Sequence, residues 1–292
     1  MRAQVSLTPT ESKKLIGKAI ASMHNVQRAF KNGTVALHPS SSTIFIVEEL
    51  MGRLPDTEFW VAGIIVPKGA CRSAESARFR RTEESQRRWP GPAGFPHTWL
   101  IETGELKCGV PLGGILENMG RHDVYIKGVN VIDPNNKAGV LIGNPVEGGT
   151  IGLVLSRAKQ KGFELVLPVG LEKQLAVPLE TAAQAAAQRN LLDYSMGMPC
   201  ALLPCEGTVV TEVTAVKLLT GAAAIPISAG GLGGAEGALT MVIKGTSEQV
   251  TKAIEHVERV KGTQLPREVR AADCRECEDE RCSLRGGGKP WC

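Results

Sequence analysis

A strand, a turn, a further strand, a glycine-rich turn, a helix and a last strand in direct succession leave a chain few folds to choose from. Residues 122–173, HDVYIKGVNVIDPNNKAGVLIGNPVEGGTIGLVLSRAKQKGFELVLPVGLEK, carry that order. DVYIKGV and ELVLPVG are short β-rich apolar runs, and TIGLVLSRAKQKG between them sets Ile151, Val154, Leu155 and Ala158 on one helical face. Strand, helix, strand reads as a parallel unit with a right-handed crossover, and ligands of such units sit beyond the carboxyl ends of the strands. Asp123, Lys127, Asn130, Asp133, Glu147, Thr150 and Lys173 fall at or near element ends in this stretch, where a site would be assembled.

The remainder of the chain is long enough to enclose such a unit in a sizeable core. It has 292 residues, of which 42% are hydrophobic. No run of about 18 apolar residues occurs, and MRAQVSLTPTESKK lacks the apolar middle of a secretory signal, so a cytoplasmic protein with no membrane contact is expected. A formal charge of +4 is too small to argue for nucleic acid.

TPTESKKLIGKAIASMHNVQRAFKNG opens with a hydroxyl cap and carries Leu15, Ile16, Ile20, Met23, Val26 and Phe30 as one helical stripe up to Asn32-Gly33. TVALHP is then a buried strand, SSST a polar turn and IFIVEELMGRL a helix. The unpaired N–H groups of a helix start, with the hydroxyls of Ser40, Ser41, Ser42 and Thr43, suit a phosphate or carboxylate. Simple N-capping is the alternative. FWVAGIIVP is the next strand, and it leads into KGACRSAESARFRRTEESQRRWPGPAGFP, which reads as an arginine-lined lid or as a solvated surface helix. HTWLIETGELKCGVPLGGILENMG follows as strand, glycine turn and short helix.

This series of elements, with TVALHPSSST, GVPLGG, HDVYIKGVNVID and LVLPVGLEK in order, resembles the superfamily of sugar-phosphate isomerases, CoA-transferases and phosphosugar sensors over roughly residues 10–180. The resemblance implies that Ser40 to Thr43 grip a phosphate, that Lys127, Gly128 and Asn130 touch the sugar or acyl part, and that Lys173 closes the site. Ribose phosphate isomerases carry an acidic pair where this chain has Val129-Asn130. Glu102-Thr103-Gly104 resembles the glutamate-x-glycine signature of CoA-transferases, whose glutamate is the nucleophile. The helix beginning near residue 10 leaves no room for the DNA-reading domain of the sugar-responsive repressors. A lactate-utilisation type of accessory domain departs least from GVNVID.

From the residues alone, the catalytic candidates are Glu102, Asp123 and Asp133. Lys127 either pairs with Asp123 or Asp133 or binds an anion as a compact cation. Glu147-Gly148-Gly149-Thr150 starts a helix, where glycines admit a ligand and N–H groups point outward, so Gly148, Gly149 and Thr150 join the ligand-binding set.

After LEKQLAVPLETAAQAAAQRNLLDYSMGMPC, read as a long alanine-rich helix ending in a junction, the character changes. TEVTAVKLLTG, AAIPISAGG, GALTMVIKG and SEQVTKAIEHVERVKG read as helix, strand, strand and helix, with Gly230 to Gly237 as the hairpin loop. Eight cysteines are present, and four of them, Cys274, Cys277, Cys282 and Cys292, crowd the last nineteen residues as C-x2-C-x4-C-x9-C. In a cytosolic chain that density points to zinc or an iron–sulfur cluster, or to a flexible, reduced tail.

The expectation is an α/β protein: a Rossmann-like parallel-sheet domain (1–200), a small α/β module (206–262) and a cysteine-rich tail (263–292). It would bind a phosphorylated or carboxylate-bearing small molecule, as an isomerase or acyl transferase and with room for a homo-oligomer. The competing class is a non-catalytic sensor or redox-linked accessory protein whose cysteine tail is the working part.

Overall fold

The computed structural model describes residues 1–80, 97–143, 148–277 and 279–289. Glu147, Cys292 and the arginines of the expected lid beyond residue 80 lie outside these. The chain opens with strand β1 (Arg2–Leu7), helices α1 (Pro9–Ser22) and α2 (His24–Asn32), strand β2 (Thr34–Leu37) and helix α3 (Thr43–Met51). Hairpin β3 (Gly63–Val66) with β4 (Gly69–Arg72), helix α4 (Ala74–Arg80), hairpin β5 (Thr98–Glu102) with β6 (Glu105–Val110) and helix α5 (Leu112–Asn118) follow. Next come β7 (Val124–Ile126), β8 (Val131–Ile132), β9 (Ala138–Ile142), α6 (Gly149–Lys161), β10 (Glu164–Pro168) and α7 (Leu179–Ala187). The last elements are β11 (Ala201–Cys205), β12 (Thr208–Val210), α8 (Glu212–Thr220), β13 (Ala223–Ala229), β14 (Leu239–Lys244) and α9 (Ser247–Val260).

The architecture is mixed α/β around a mixed six-stranded sheet of order β12-β10-β7-β2-β5-β6. β12, β10, β7 and β2 run parallel, while β5 and β6 are antiparallel additions at one edge. The parallel strands read as continuous apolar runs because both faces are covered. Val35, Leu37, Val124, Ile126 and Val166 face a core shared with α1, α3, α8 and α9, whereas Ala36, Tyr125, Leu165 and Leu167 face a second core with α5 and α6. The expected crossover exists in altered form. Its parallel partners are β7 and β10, and β8-β9 between them is an excursion that pairs antiparallel with β11 in a separate small sheet.

Four readings of local structure change. The first helix breaks at Met23 (φ −62, ψ 138), where the Gln27 side chain donates to the Ala21 carbonyl at 2.6 Å, and the apolar stripe continues because α1 and α2 share one core. FWVAGIIVP forms a strand only over Gly63–Val66. The alanine-rich helix spans nine residues. The CALLPC part of the expected junction is β11, an edge strand, where Pro204 is tolerated.

The N-terminal residues join the far end of the chain. β1 pairs with β14 from Arg2↔Lys244 to Leu7↔Leu239, which completes the sheet β1-β14-β13. A capping box between Thr8 and Glu11 starts α1, and Glu11 also accepts from the Lys261 ammonium (2.7 Å) and the Gly262 N–H (2.8 Å) after α9. The segment 206–262 thus shares one sheet with residues 2–7, and its first strand, β12, belongs to the central sheet.

Candidate functional site

Four parallel strands end side by side. β2 runs into His38 and the serine loop, β7 into Lys127-Gly128, β10 into Gly170 to Lys173, and β12 into Thr211-Glu212. This carboxyl-terminal edge is where a parallel sheet offers helix starts and open backbone to a ligand.

The serine loop is partly occupied with itself. Ser40 Oγ accepts from the N–H groups of Ser42 (3.3 Å) and Thr43 (3.2 Å), and Thr43 Oγ1 donates to the His38 carbonyl (2.6 Å). Ser40 therefore braces the turn that leads into α3, whose N-cap position is Ser42, and Ser41 and Ser42 keep hydroxyls that make no hydrogen bond among the described residues. The neighbouring turn closes on this loop at Gly128. A Cβ there would stand 2.9 Å from Ser40 Oγ, so a side chain would drive the two loops apart.

Lys127 is 7% exposed, and no hydrogen bond or ion pair holds its ammonium among the described residues. Burial lowers its amine from 10.5 to about 8, against a small opposing effect of the Cys205 thiol. His38, on the adjacent strand end, is held well below its ordinary range by burial, then by the Lys127 and His97 charges, and is neutral at pH 7. Its Nδ1 lies 3.5 Å from the Tyr125 hydroxyl.

A second group lines the same edge on the α1 and α8 side. Glu212 is fully buried at the start of α8 and accepts from the Leu171 N–H (3.0 Å) and from the Ser12 hydroxyl. Burial, reinforced by the Glu172 charge, still pushes its carboxyl up from 4.5 to about 7. Lys13 of α1 is brought down to about 8 by burial and the Lys173 charge. Lys173 donates to the Val129 carbonyl (3.0 Å), joining this group to the Lys127 turn, and burial lowers its amine too. Glu172 Oε2 is buried without a hydrogen-bond partner among the described residues.

The remaining expected site residues sit elsewhere. Glu102 pairs in register with Thr34, the first residue of β2, so it lies at the opposite edge of the sheet, in an exposed 2.6 Å ion pair with Lys107. Asp123 is at that opposite edge as well, where it accepts from the N–H groups of Thr34 (2.8 Å) and Gly120 (2.7 Å). Asp133 accepts from the N–H groups of Asn135, Lys137 and Leu179 and so shapes the β8–β9 turn and the start of α7. Burial would raise its carboxyl, and those three backbone donors outweigh it and hold it low. Asn130 Oδ1 accepts from the Leu141 N–H at 3.0 Å, tying its turn to β9. Gly148, Gly149 and Thr150 begin α6 beside Leu203 of β11.

The structure thus brings Ser40 to Thr43, Lys127, Gly128 and Lys173 together and adds Lys13, His38, Glu172 and Glu212. Thr211-Glu212 directly after a strand was the available signal, since it repeats the strand-to-cap punctuation that opens α3. Lys13 carried none, because its place depends on α1 crossing the strand ends. No helix among the described residues is long and apolar enough to cross a membrane. Comparisons with protein-family models, with curated proteins and with solved structures found no match.

Proposed function

We propose that the protein binds a small anionic molecule, a phosphate ester or a carboxylate, across the carboxyl-terminal edge of β2, β7, β10 and β12. Lys127 carries this reading. An ammonium on a largely buried side chain with no protein partner is costly, and a bound anion supplies the missing charge and hydrogen-bond acceptor at once. The hydroxyls of Ser41 and Ser42 lie on the loop that the Lys127-Gly128 turn packs against, through the contacts of Gly128 with Ser40 and Ser42.

Glu212 is the carboxylate at this edge that titrates near neutrality, as a general base requires. Proton transfer on a sugar phosphate would therefore use Glu212, in place of the acidic pair absent at Val129-Asn130. Acyl transfer through Glu102 draws no support from its position beside Lys107 at the far edge. The four parallel strands with ligand groups at one end support the Rossmann-like reading and the resemblance to phosphosugar proteins. The seven free thiols among the described residues fit a reducing, cytoplasmic setting.

Equilibrium binding to inorganic phosphate, sugar phosphates, short carboxylates and acyl-CoAs tests the reading. At least one anion should bind wild type and lose roughly 10- to 100-fold in affinity on Lys127→Met. Equal binding by the variant would reject the site. Binding without turnover across the panel would favour a sensor over an isomerase.

A further inference from the structure

The tail does not hang free of the body. Its residues Ala271 and Ala272 dock beside the β3–β4 hairpin through an antiparallel bridge between Ser73 and Ala271, an Ala272 N–H to Arg72 carbonyl bond (3.0 Å) and a Lys68 ammonium to Ala272 carbonyl bond (2.7 Å). On the other side, Ser195 and Ser283 exchange two hydrogen bonds, Ser283 N–H to the Ser195 carbonyl (3.0 Å) and Ser195 N–H to Ser283 Oγ (2.9 Å). The hairpin and the 196–198 segment approach so closely that a Cβ on Gly69 would stand 1.9 Å from the Met196 carbonyl oxygen. Three chain segments distant in sequence thereby form a partly open cavity of about 70 Å³, and four cysteines, Cys71, Cys274, Cys277 and Cys282, line it.

Cys71 belongs to β4, about two hundred residues before the others, and no spacing rule links it to them. Cys274 and Cys282 are buried with Leu284 in a small core of their own, and Cys277 is half-buried. Lys68 Nζ donates to Cys274 Sγ at 3.3 Å. The acidic residues among the tail cysteines are largely neutralised: Asp273 pairs with Arg275 (2.6 Å), Asp279 with Arg281 (3.4 Å) and Glu280 with Arg285 (3.6 Å). Asp279 also lines the cavity, with its charge turned to Arg281, and the four thiols, as thiolates, are the other anionic donors there.

The size of the cavity decides what such a set would hold. Among the described residues no three His, Cys, Asp or Glu side chains close on a point as a single ion requires. Four thiolates at about 2.3 Å from one zinc would leave no void between them. A cavity of about 70 Å³ is several times the roughly 10–15 Å³ needed for one water. We infer that Cys71, Cys274, Cys277 and Cys282 ligate an iron–sulfur cluster of the four-iron, four-sulfide type, one thiolate to each iron, with Lys68 donating to the Cys274 sulfur. Met198, Leu284, Ala70 and Ala77 supply an apolar part of the cavity wall, beside Lys68, Arg72 and Asp279.

The full-length chain, purified anaerobically or reconstituted with ferrous iron and sulfide, tests this. About four iron and four acid-labile sulfide per chain are expected, with visible charge-transfer absorption that bleaches on reduction. Cys71→Ala should lose the cluster as completely as Cys277→Ala, while Cys292→Ala and Cys108→Ala keep it. Lys68→Met should shift the reduction potential of the cluster, because it removes a hydrogen bond to a ligating sulfur. One zinc per chain, or four titratable thiols with no metal, overturns the cluster. Retention of iron in Cys71→Ala with its loss in Cys292→Ala overturns the ligand assignment.

Discussion

Replacing Lys127 by Met separates a ligand-binding lysine from a structural one, because the two roles change stability in opposite directions. The Lys127 amine titrates at about 8 in the folded protein against 10.5 ordinarily. At about 1.4 kcal/mol per tenfold change in a proton equilibrium, keeping it charged in the fold costs on the order of 3 kcal/mol. The folded-state value is depressed, so between about 8 and 10.5 the unfolded chain holds a proton that the folded chain has released, and stability rises with pH across that window. Methionine keeps the stem's volume without the charge. Urea denaturation should therefore find Lys127→Met more stable than wild type at pH 7 by up to about 3 kcal/mol. The advantage should shrink towards pH 10.5. Affinity for the anion should fall in the same variant. A variant less stable than wild type at pH 7, with no change in the pH slope, would refute the claim that Lys127 is an uncompensated buried cation.

Glu212→Gln should flatten a second slope. The raised Glu212 carboxyl contributes stability below 4.5 that is lost as pH rises through about 7, so wild type should weaken across that window more than the variant, read as the urea midpoint against pH. Asp133→Asn should lower the melting temperature by several degrees with ligand affinity unchanged, because Asp133 serves three backbone N–H groups and lies apart from the Lys127 turn. Gly128→Ala should weaken anion binding more than folding, as the new methyl meets Ser40 Oγ at 2.9 Å, and calorimetric titration beside thermal melting would separate the two. Glu102→Gln should leave both binding and melting near wild type, since it breaks only an exposed ion pair.

What could be read in the sequence is what the chain decides locally. β2, β7, β10, α3 and α6 announce themselves because apolar runs buried on both faces and a glycine-opened helix need no distant partner to be recognised. β1 gave no such signal. Its pattern alternates around a single buried residue, Leu7, and its partner strand lies more than two hundred residues away. β11 was hidden by Pro204, which marks a turn in isolation and an edge strand once β9 is beside it. The site divides along the same line. Ser40 to Thr43, Lys127 and Lys173 follow strands whose ends could be located, whereas Lys13 and Glu212 come into place only when α1 and α8 pack over the edge. Asp123 and Asp133 looked catalytic because a carboxylate beside a turn is the same in sequence whether it faces substrate or backbone N–H groups. Cys71 was unreadable as a partner of the tail, since nothing before the β3–β4 hairpin packs beside Ala271 and Ala272 connects them.

The most direct test of the central claim is the titration of the Lys127 amine itself, followed by NMR on lysine labelled at the side-chain nitrogen and assigned with Lys127→Met. The free protein should show this amine titrating at about 8, and saturation with the bound anion should move it upward, towards 10.5, as the charge gains its partner. An amine that titrates near 10.5 without ligand, or one whose titration is unmoved by any anion that binds, would contradict the account.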